Sequence, residues 1–298
     1  MGVTAHGFLI VDKPRGWTSH DVVARVRRLL GTRRVGHAGT LDPAAEGVLV
    51  VGVGSATRLL EQVQSGAKQY VAHVVLGVES DSGDVEGLGS AIASRPPDRA
   101  AIEAALQTMV GEIRQVPPAH SAIKVGGEAL YRRARRGEVV EVPARTVHVS
   151  TLAVLDYRPP DVVVRVDCGS GVYVRAIARD LGRDLGCGAY LHALLRTRVG
   201  AFTLQAAWPM EDLERGLTPP TWPLMALHPD AALQPDDALA LGGAAVESWY
   251  HGRPVPIPEV TEETTPRVRG YTWDGDWLGV ASTDQARGLW QPRAVVGR

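Results

Sequence analysis

Residues 7–12 (GFLIVD), 48–53 (VLVVGV), 70–77 (YVAHVVLG) and 161–168 (DVVVRVDC) are short apolar runs, rich in branched side chains and bounded by glycine, proline or charge. Such runs predict strands, because branched side chains fit a pleated surface better than a helical turn. Together with 147–155 they predict a central sheet. Helical periodicity lies between them. Thr18 or Ser19 can cap a helix over about 20–30, with Val22, Val23, Val26, Leu29 and Leu30 on one face, Arg25, Arg27 and Arg28 on the other, and Gly31 as stop. Further helices are expected near 56–65, 99–110, 172–186 and 189–196. The chain therefore reads as α+β. No apolar run reaches the roughly 18 residues of a membrane helix. The N-terminus lacks the basic start and long apolar stretch of a signal peptide. Cys168 and Cys187 form no CxxC pair and no metal-ligand spacing. These features predict a cytoplasmic protein with no membrane partner and no bound metal.

Pro219, Pro220, Pro223, Pro229 and Pro235 mark a linker near 216–235. It divides a large domain, 1–228, from a small one, 229–298, whose short strands and Gly/Pro turns predict an all-β unit. Charge is divided too. Residues 1–228 hold 26 basic and 23 acidic groups, and 229–298 hold 6 and 10, which recovers the net charge of -1. A polyanion is thus expected to meet the first domain, at two basic patches. One is 13–34, with Lys13, Arg15, Arg25, Arg27, Arg28, Arg33 and Arg34. The other is 124–145, with Lys124, Arg132, Arg133, Arg135, Arg136 and Arg145. The second patch lies in 115–146, a stretch of prolines, glycines and a basic helix over about 127–136 that reads as an insertion. Only three of the 32 basic residues are lysines, Lys13, Lys68 and Lys124. With Arg132 and Arg133 they are the candidate RNA contacts.

The loop Gly36-His37-Ala38-Gly39-Thr40-Leu41-Asp42-Pro43 is the densest motif. Taken alone, Asp42-Pro43 reads as a helix N-cap followed by proline at the first helical position. Glu46, four residues on, either repels Asp42 or sits on the next helical turn facing away. Gly52-Val53-Gly54 follows a strand and opens a helix, as a dinucleotide-binding turn does, with Glu79 and Asp81 downstream. Thr57 stands where that fingerprint needs a third small residue, and repeated βαβ units are missing.

Five blocks carry a more specific signal: KPRGWTSHDVV, GHAGTLDPAAEGVLVVGVGSATR, KQY, PPAHSAIKVGGEALYRRARRG and CGSGVYVRAIARDLGRDLG. In order and spacing they resemble TruB-type tRNA pseudouridine synthases over about residues 7–202. GLWQPRAVV, 288–296, resembles the close of the PUA-like RNA-binding domain that follows the catalytic domain in that family. The resemblance implies a pseudouridine synthase fold: a mixed, largely antiparallel central sheet flanked by helices, plus a small all-β PUA-like C-terminal domain. It implies a monomer that acts on the T-loop and stem of tRNA, isomerises uridine 55, and needs no cofactor and no protein partner.

By position, the resemblance makes Asp42 the catalytic aspartate, His37 the contact beside the flipped base, and Tyr70 the ring that stacks on uracil. Tyr173 and Arg175 become the tyrosine and arginine of the active site, Leu194 an apolar pocket residue, and 115–146 the insertion that closes over the T-loop. Pseudouridine formation breaks N1–C1′, rotates the detached uracil and joins C5 to C1′. An ionised Asp42 can add to C6 or act at C1′. Arg175 is expected to hold that carboxylate and lower its pKa. Tyr173 is a candidate acceptor for the C5 proton. Two other functions remain open at this stage: an RNA-binding protein of the same fold without activity, and a dinucleotide enzyme using Gly52 and Gly54.

Overall fold

The computed structural model describes residues 6–92, 95–118, 124–125, 128–129, 136, 142–233, 236–257 and 265–296. The strands run in the order β1 (Gly7–Lys13), β2 (Val35–Ala38), β3 (Ala45–Val53), β4 (Lys68–Leu76), β5 (Val78–Ser80), β6 (Leu88–Ala91), β7 (Gly111–Gln115), β8 (Lys124–Val125), β9 (Glu128–Ala129), β10 (Arg145–Arg158), β11 (Asp161–Cys168), β12 (Ala189–Val199), β13 (Phe202–Thr203) and β14 (Trp208–Pro209). The C-terminal part adds β15 (Asp237–Leu241), β16 (Val255–Pro256), β17 (Arg267–Thr272), β18 (Trp277–Asp284) and β19 (Leu289–Val295). Helices are α1 (Ser19–Leu30), α2 (Leu60–Ser65), α3 (Arg99–Gln107), α4 (Val174–Asp184), α5 (Met210–Gly216), α6 (Trp222–Met225) and α7 (Gly243–Tyr250).

A ten-stranded sheet organises the first part, in the order β14-β1-β3-β12-β4-β11-β10-β7, with β2 on β3 and β13 on β12. Only β1–β14 and β3–β12 pair parallel, so the sheet is mixed and largely antiparallel. Alternation along β1 and β3 sends Leu9, Val11, Leu49 and Val51 to one face and Phe8, Ile10, Val48 and Val50 to the other. α1 covers the first face with Val22, Val23, Val26 and Leu30. On the second face lie Ala56, Leu59 and Val63, together with Leu233, Val280 and Ala294 from the C-terminal part. Further along the sheet, α4 lays Val174, Ile177, Ala178 and Leu181 on Tyr70, Ala72, Val74 and on Val162, Val164 and Val166. Each such side chain contributes about 1.5–3 kcal/mol when fully buried.

α1 matches its sequence signals. Thr18 accepts from the Asp21 amide and Asp21 returns a bond to the Thr18 amide, and Gly31 ends the helix at φ 63°. Several other expectations change. Residues 189–196 are not a helix: they lie in β12, hydrogen-bonded between β3 and β4. The sheet supplies partners on both sides, and that pairing outweighs the helical reading of AYLHALLRTRV. Asp42-Pro43 does not cap a helix. The Ala45 amide donates to the Asp42 carbonyl at 3.0 Å, a tight turn that feeds directly into β3. The dinucleotide reading of Gly52 and Gly54 requires a parallel sheet, and this sheet is largely antiparallel; Gly52 instead packs against Leu60, where a Cβ would lie 2.9 Å from that side chain. The C-terminal unit is a five-stranded sheet that also carries α7, with its own core around Trp249, Val268, Leu278 and Trp290. In the insertion, Glu128–Ala129 pairs with Lys124–Val125 as strands, against the helical reading there. Arg136 lies in a turn, and residues 130–135, with Arg132 and Arg133, lie outside the described residues.

Candidate active site

Asp42 sits on the connection from β2 to β3, and that connection is clamped on both sides. The Ser19 hydroxyl accepts from the Leu41 amide at 2.9 Å and donates to the Leu41 carbonyl at 3.1 Å. The Pro43 carbonyl accepts from the Gly16 amide at 2.8 Å. Lys13, fully buried, donates its ammonium to the carbonyls of Trp17 (2.7 Å), Pro14 (3.0 Å) and Pro43 (3.4 Å). Lys13 therefore holds the loop from beneath and cannot reach an RNA phosphate, which corrects its reading as an RNA contact. Burial pushes its pKa down to about 8. The KPRGWTSH segment acts as the cradle of the Asp42 loop.

The loop borders a cleft of about 340 Å³ whose lining includes Asp42, Lys68, Tyr70, Tyr173, Arg175, Leu194 and Arg196. Six of the sequence-predicted site residues thus meet in one space. The Asp42 carboxylate, 47% exposed, lies 2.8 Å from Nη2 of Arg175, whose side chain is 6% exposed. Arg175 also reaches a second acid: its Nη1 is 3.2 Å from Asp84. The resulting pKa of Asp42 is raised, not lowered as Arg175 alone predicts. Burial is the main cause, Arg175 opposes it, and repulsion from Asp84 and Glu86 adds to the rise. Glu46 bears elsewhere. As a β3 residue it acts on Lys13 and Asp12 rather than on Asp42.

Asp84 comes from residues 80–87 (SDSGDVEG), a polar segment between β5 and β6. Ser82 donates to its Oδ1 at 2.5 Å and the Glu86 amide does so at 3.1 Å. Gly83, at φ 77°, lets this loop lie against the Arg175 backbone, where a Cβ would come within 3.0 Å. Gln115 is a second residue that sequence reading missed. Almost fully buried, its carboxamide accepts from the Tyr173 amide at 2.8 Å and donates to the Tyr173 carbonyl at 3.1 Å. Tyr173 is the N-cap of α4 and makes no side-chain cap of its own, so Gln115 fixes the start of the helix that carries Arg175. Arg145 lies over the Tyr173 ring, 5.9 Å from its centroid. No sequence signal marks Asp84 or Gln115, since a turn aspartate and a strand-end glutamine are ordinary.

Tyr70 is buried between Val166 of β11 and Arg196 of β12. Burial raises the pKa of its phenol, and the neighbouring Arg196 guanidinium opposes that rise. Leu194 pairs with Ala45 and Ala72 on neighbouring strands and reaches the cleft from β12. Lys68 lines the cleft, but its ammonium is turned to the carbonyls of Gln64 and Gly66 and is held near pKa 8 by burial. His37 is not on a free loop. It is a β2 residue opposite Val51, its ring edge packs on His20 at 5.5 Å, and burial lowers its pKa to about 4. It does not line the cleft. For Lys124 the backbone alone is described.

The chain matches the model of the TruB family pseudouridylate synthase N-terminal domain over residues 27–174 and that of the tRNA pseudouridylate synthase B C-terminal domain over 175–222. The tRNA pseudouridine synthase B of Thermobifida fusca (strain YX) is 52% identical over 225 residues, 72% of this chain and 76% of that protein. That of Synechococcus elongatus is 41% identical over 300 residues, 99% of each. Among solved structures, a crystal structure of a Cbf5-Nop10-Gar1 complex is similar at 25% identity and TM-score 0.72, covering 99% of this chain and 85% of that one. An H/ACA RNP bound to a substrate RNA containing 2′-deoxyuridine shares the fold at 24% identity and the same score, covering 98% and 84%. A clamped aspartate paired with a buried arginine, two tyrosines at the same cleft, and near-full-length relatives converge on one assignment: the chain belongs to the TruB family of tRNA pseudouridine synthases, isomerases that convert uridine in tRNA to pseudouridine.

Proposed function

We propose that the target is uridine 55 in the T-loop and that Asp42 is the catalytic carboxylate. The observation that carries this reading is the 2.8 Å pair of Asp42 and Arg175 at the mouth of the cleft. The guanidinium aims the carboxylate and opposes the rise in its pKa, which keeps the ionised form available. The target base leaves its stack to enter. Tyr70 offers it an aromatic face, a contact worth about 1–3 kcal/mol per base. Leu194 closes the apolar side. Asp42 bonds to C6 or to C1′, the N1–C1′ bond breaks with its electron pair on the ring, and the ring turns within the walled cleft. C5 then bonds to C1′, the C5 proton passes to the Tyr173 oxygen as that phenol releases its own proton to water, N1 takes up a proton from water, and Asp42 leaves as the carboxylate. His37 fills the gap beside the flipped base, and this requires its strand to meet the RNA.

The same reading divides the chain into a catalytic domain, 1–228, with the insertion 115–146 over the T-loop, and a PUA-like RNA-binding domain, 229–298. The separate core of the C-terminal sheet supports that division. Phosphate contacts fall to Lys124, Arg132 and Arg133, with Lys68 at the cleft wall. The protein acts as a cytoplasmic monomer without a protein partner, which sedimentation of the free and tRNA-bound forms tests.

The deciding experiment is conversion of unmodified tRNA transcript, mapped by position, with the intact protein and with Asp42→Ala. Pseudouridine at position 55 that vanishes in the variant supports the reading. Equal conversion by both, or conversion at other positions alone, refutes it.

A further inference from the structure

Arg196 is a buried cation that the reaction as described does not use. It is 1% exposed, yet it lines the active-site cleft. Its Nε donates to the Val48 carbonyl at 2.7 Å and its Nη2 to the Gly39 carbonyl at 3.0 Å. Across the β12–β4 ladder its direct partner is Tyr70, and the two side chains interact electrostatically. These groups are all neutral, and no carboxylate pairs with Arg196 among the described residues. Burying a guanidinium without a counter-charge is costly, and a neutral side chain would fill the same space at less cost. What the guanidinium provides is its planar fork, which serves two carbonyls in fixed directions at once beside the tyrosine.

The two acceptors and the cross-strand neighbour belong to three different parts of the site. Gly39 begins the loop that carries Asp42. Val48 lies on β3, which that loop enters. Tyr70 is on β4, on the other side of β12. The backbone around Arg196 is equally constrained. Gly47 pairs with Arg196 across the parallel β3–β12 ladder at φ 98°, where a Cβ would lie 2.3 Å from the Arg196 carbonyl. β3 and β12 thus approach closely beside the Asp42 loop, and the Arg196 side chain ties that junction to the tyrosine.

We infer that Arg196 is a positioning residue that sets the Asp42 loop and the Tyr70 ring relative to one another, so that carboxylate and stacked base meet in register. The inference rests on the roles proposed above for Asp42 and Tyr70. It predicts a defect in turnover rather than in binding, because tRNA contacts outside the cleft are untouched while the reacting groups lose alignment. A misplacement of about 1 Å costs on the order of 100-fold in rate.

The test is single-turnover kinetics on tRNA transcript, with rate and KM measured separately, for Arg196→Met, Arg196→Lys, Tyr70→Phe and the double variant Arg196→Met/Tyr70→Phe. Folded fraction is measured on the same samples by circular dichroism. Arg196→Met is expected to lose about 100-fold in rate at a KM within about threefold of the parent. Arg196→Lys, which keeps the charge and some of the donors, should recover part of the rate. Tyr70 and Arg196 are direct cross-strand neighbours, so adding Arg196→Met to Tyr70→Phe should cost less than in the parent. A parent-like rate per folded molecule in Arg196→Met assigns Arg196 to stability alone and overturns the inference. So does strict additivity with Tyr70→Phe. If Asp42→Ala converts uridine as well as the parent does, the underlying reading has failed. If Asp42→Ala is inactive while Arg196→Met is normal, only the present inference has.

Discussion

Asp84 Oδ2 lies 3.2 Å from Nη1 of Arg175, while Nη2 of the same guanidinium lies 2.8 Å from Asp42. One buried arginine therefore serves two carboxylates with separate nitrogens. The acid nearer the surface faces the cleft, and the other is held inside its own loop by Ser82 and the Glu86 amide. Asp84→Asn should lower the single-turnover rate about 10- to 100-fold, the scale of a lost charge-assisted hydrogen bond. Binding of tRNA should stay near the parent value. A rate within twofold of the parent would show that Asp42 alone suffices to hold Arg175.

The raised pKa of Asp42 has a direction that kinetics can read. With the ionised carboxylate as the proposed reactive form, what matters is that its pKa in the protein lies above that of an ordinary aspartate. The rate should therefore fall, as pH is lowered, at a higher pH than an ordinary aspartate gives. Arg175 lowers this pKa and Asp84 raises it. Arg175→Met should move the acid limb of the pH–rate profile up, and Asp84→Asn should move it down. A limb that moves the same way in both variants contradicts the assignment.

Lys13 is fully buried with its ammonium on three carbonyls. Lys13→Met takes a donor from each of those carbonyls and leaves Pro43 with the Gly16 amide alone, a loss of about 1–3 kcal/mol. The melting temperature should drop by roughly 2–10 °C for a chain of this size. The slope of log affinity for tRNA against log salt should not change, since no phosphate contact is removed. A shallower slope would return Lys13 to the RNA surface.

Gln115 holds both backbone polar atoms of Tyr173. Gln115→Met keeps the volume and removes both bonds. It should slow turnover about tenfold, since a net bond contributes roughly 0.5–1.5 kcal/mol and two are lost where α4 begins. KM should hold, because the amide touches no substrate. A change in KM with an unaltered rate would show that Gln115 acts on the insertion it precedes rather than on Tyr173.

Much of the fold was legible in local pattern. The strands at 7–12, 48–53, 70–77 and 161–168 and the cap and stop of α1 are short-range features, set by alternation, capping side chains and a glycine at positive φ. The strand 189–199 was not legible, because its conformation depends on partners more than 100 residues away in β3 and β4. The Asp42-Pro43 turn was misread for the same reason. An Asp-Pro pair fits a helix cap or a tight turn equally well, and the strand pairing of Ala45 decides between them.

The sequence by itself determined the residue types of the active site and their order. Asp42, Tyr70, Tyr173 and Arg175 were identified by the blocks that hold them and Leu194 by its position in the wider resemblance, and all five meet at one cleft. Only the tertiary structure decided what holds them there. Asp84, Gln115, Arg196 and Lys13 act through bonds to loops and strands distant in the chain, at distances that no spacing encodes. The sign of the Asp42 shift was decided there as well. The sequence shows one arginine and one aspartate, but burial and a second acid arrive only when the chain has folded, and together they outweigh the arginine.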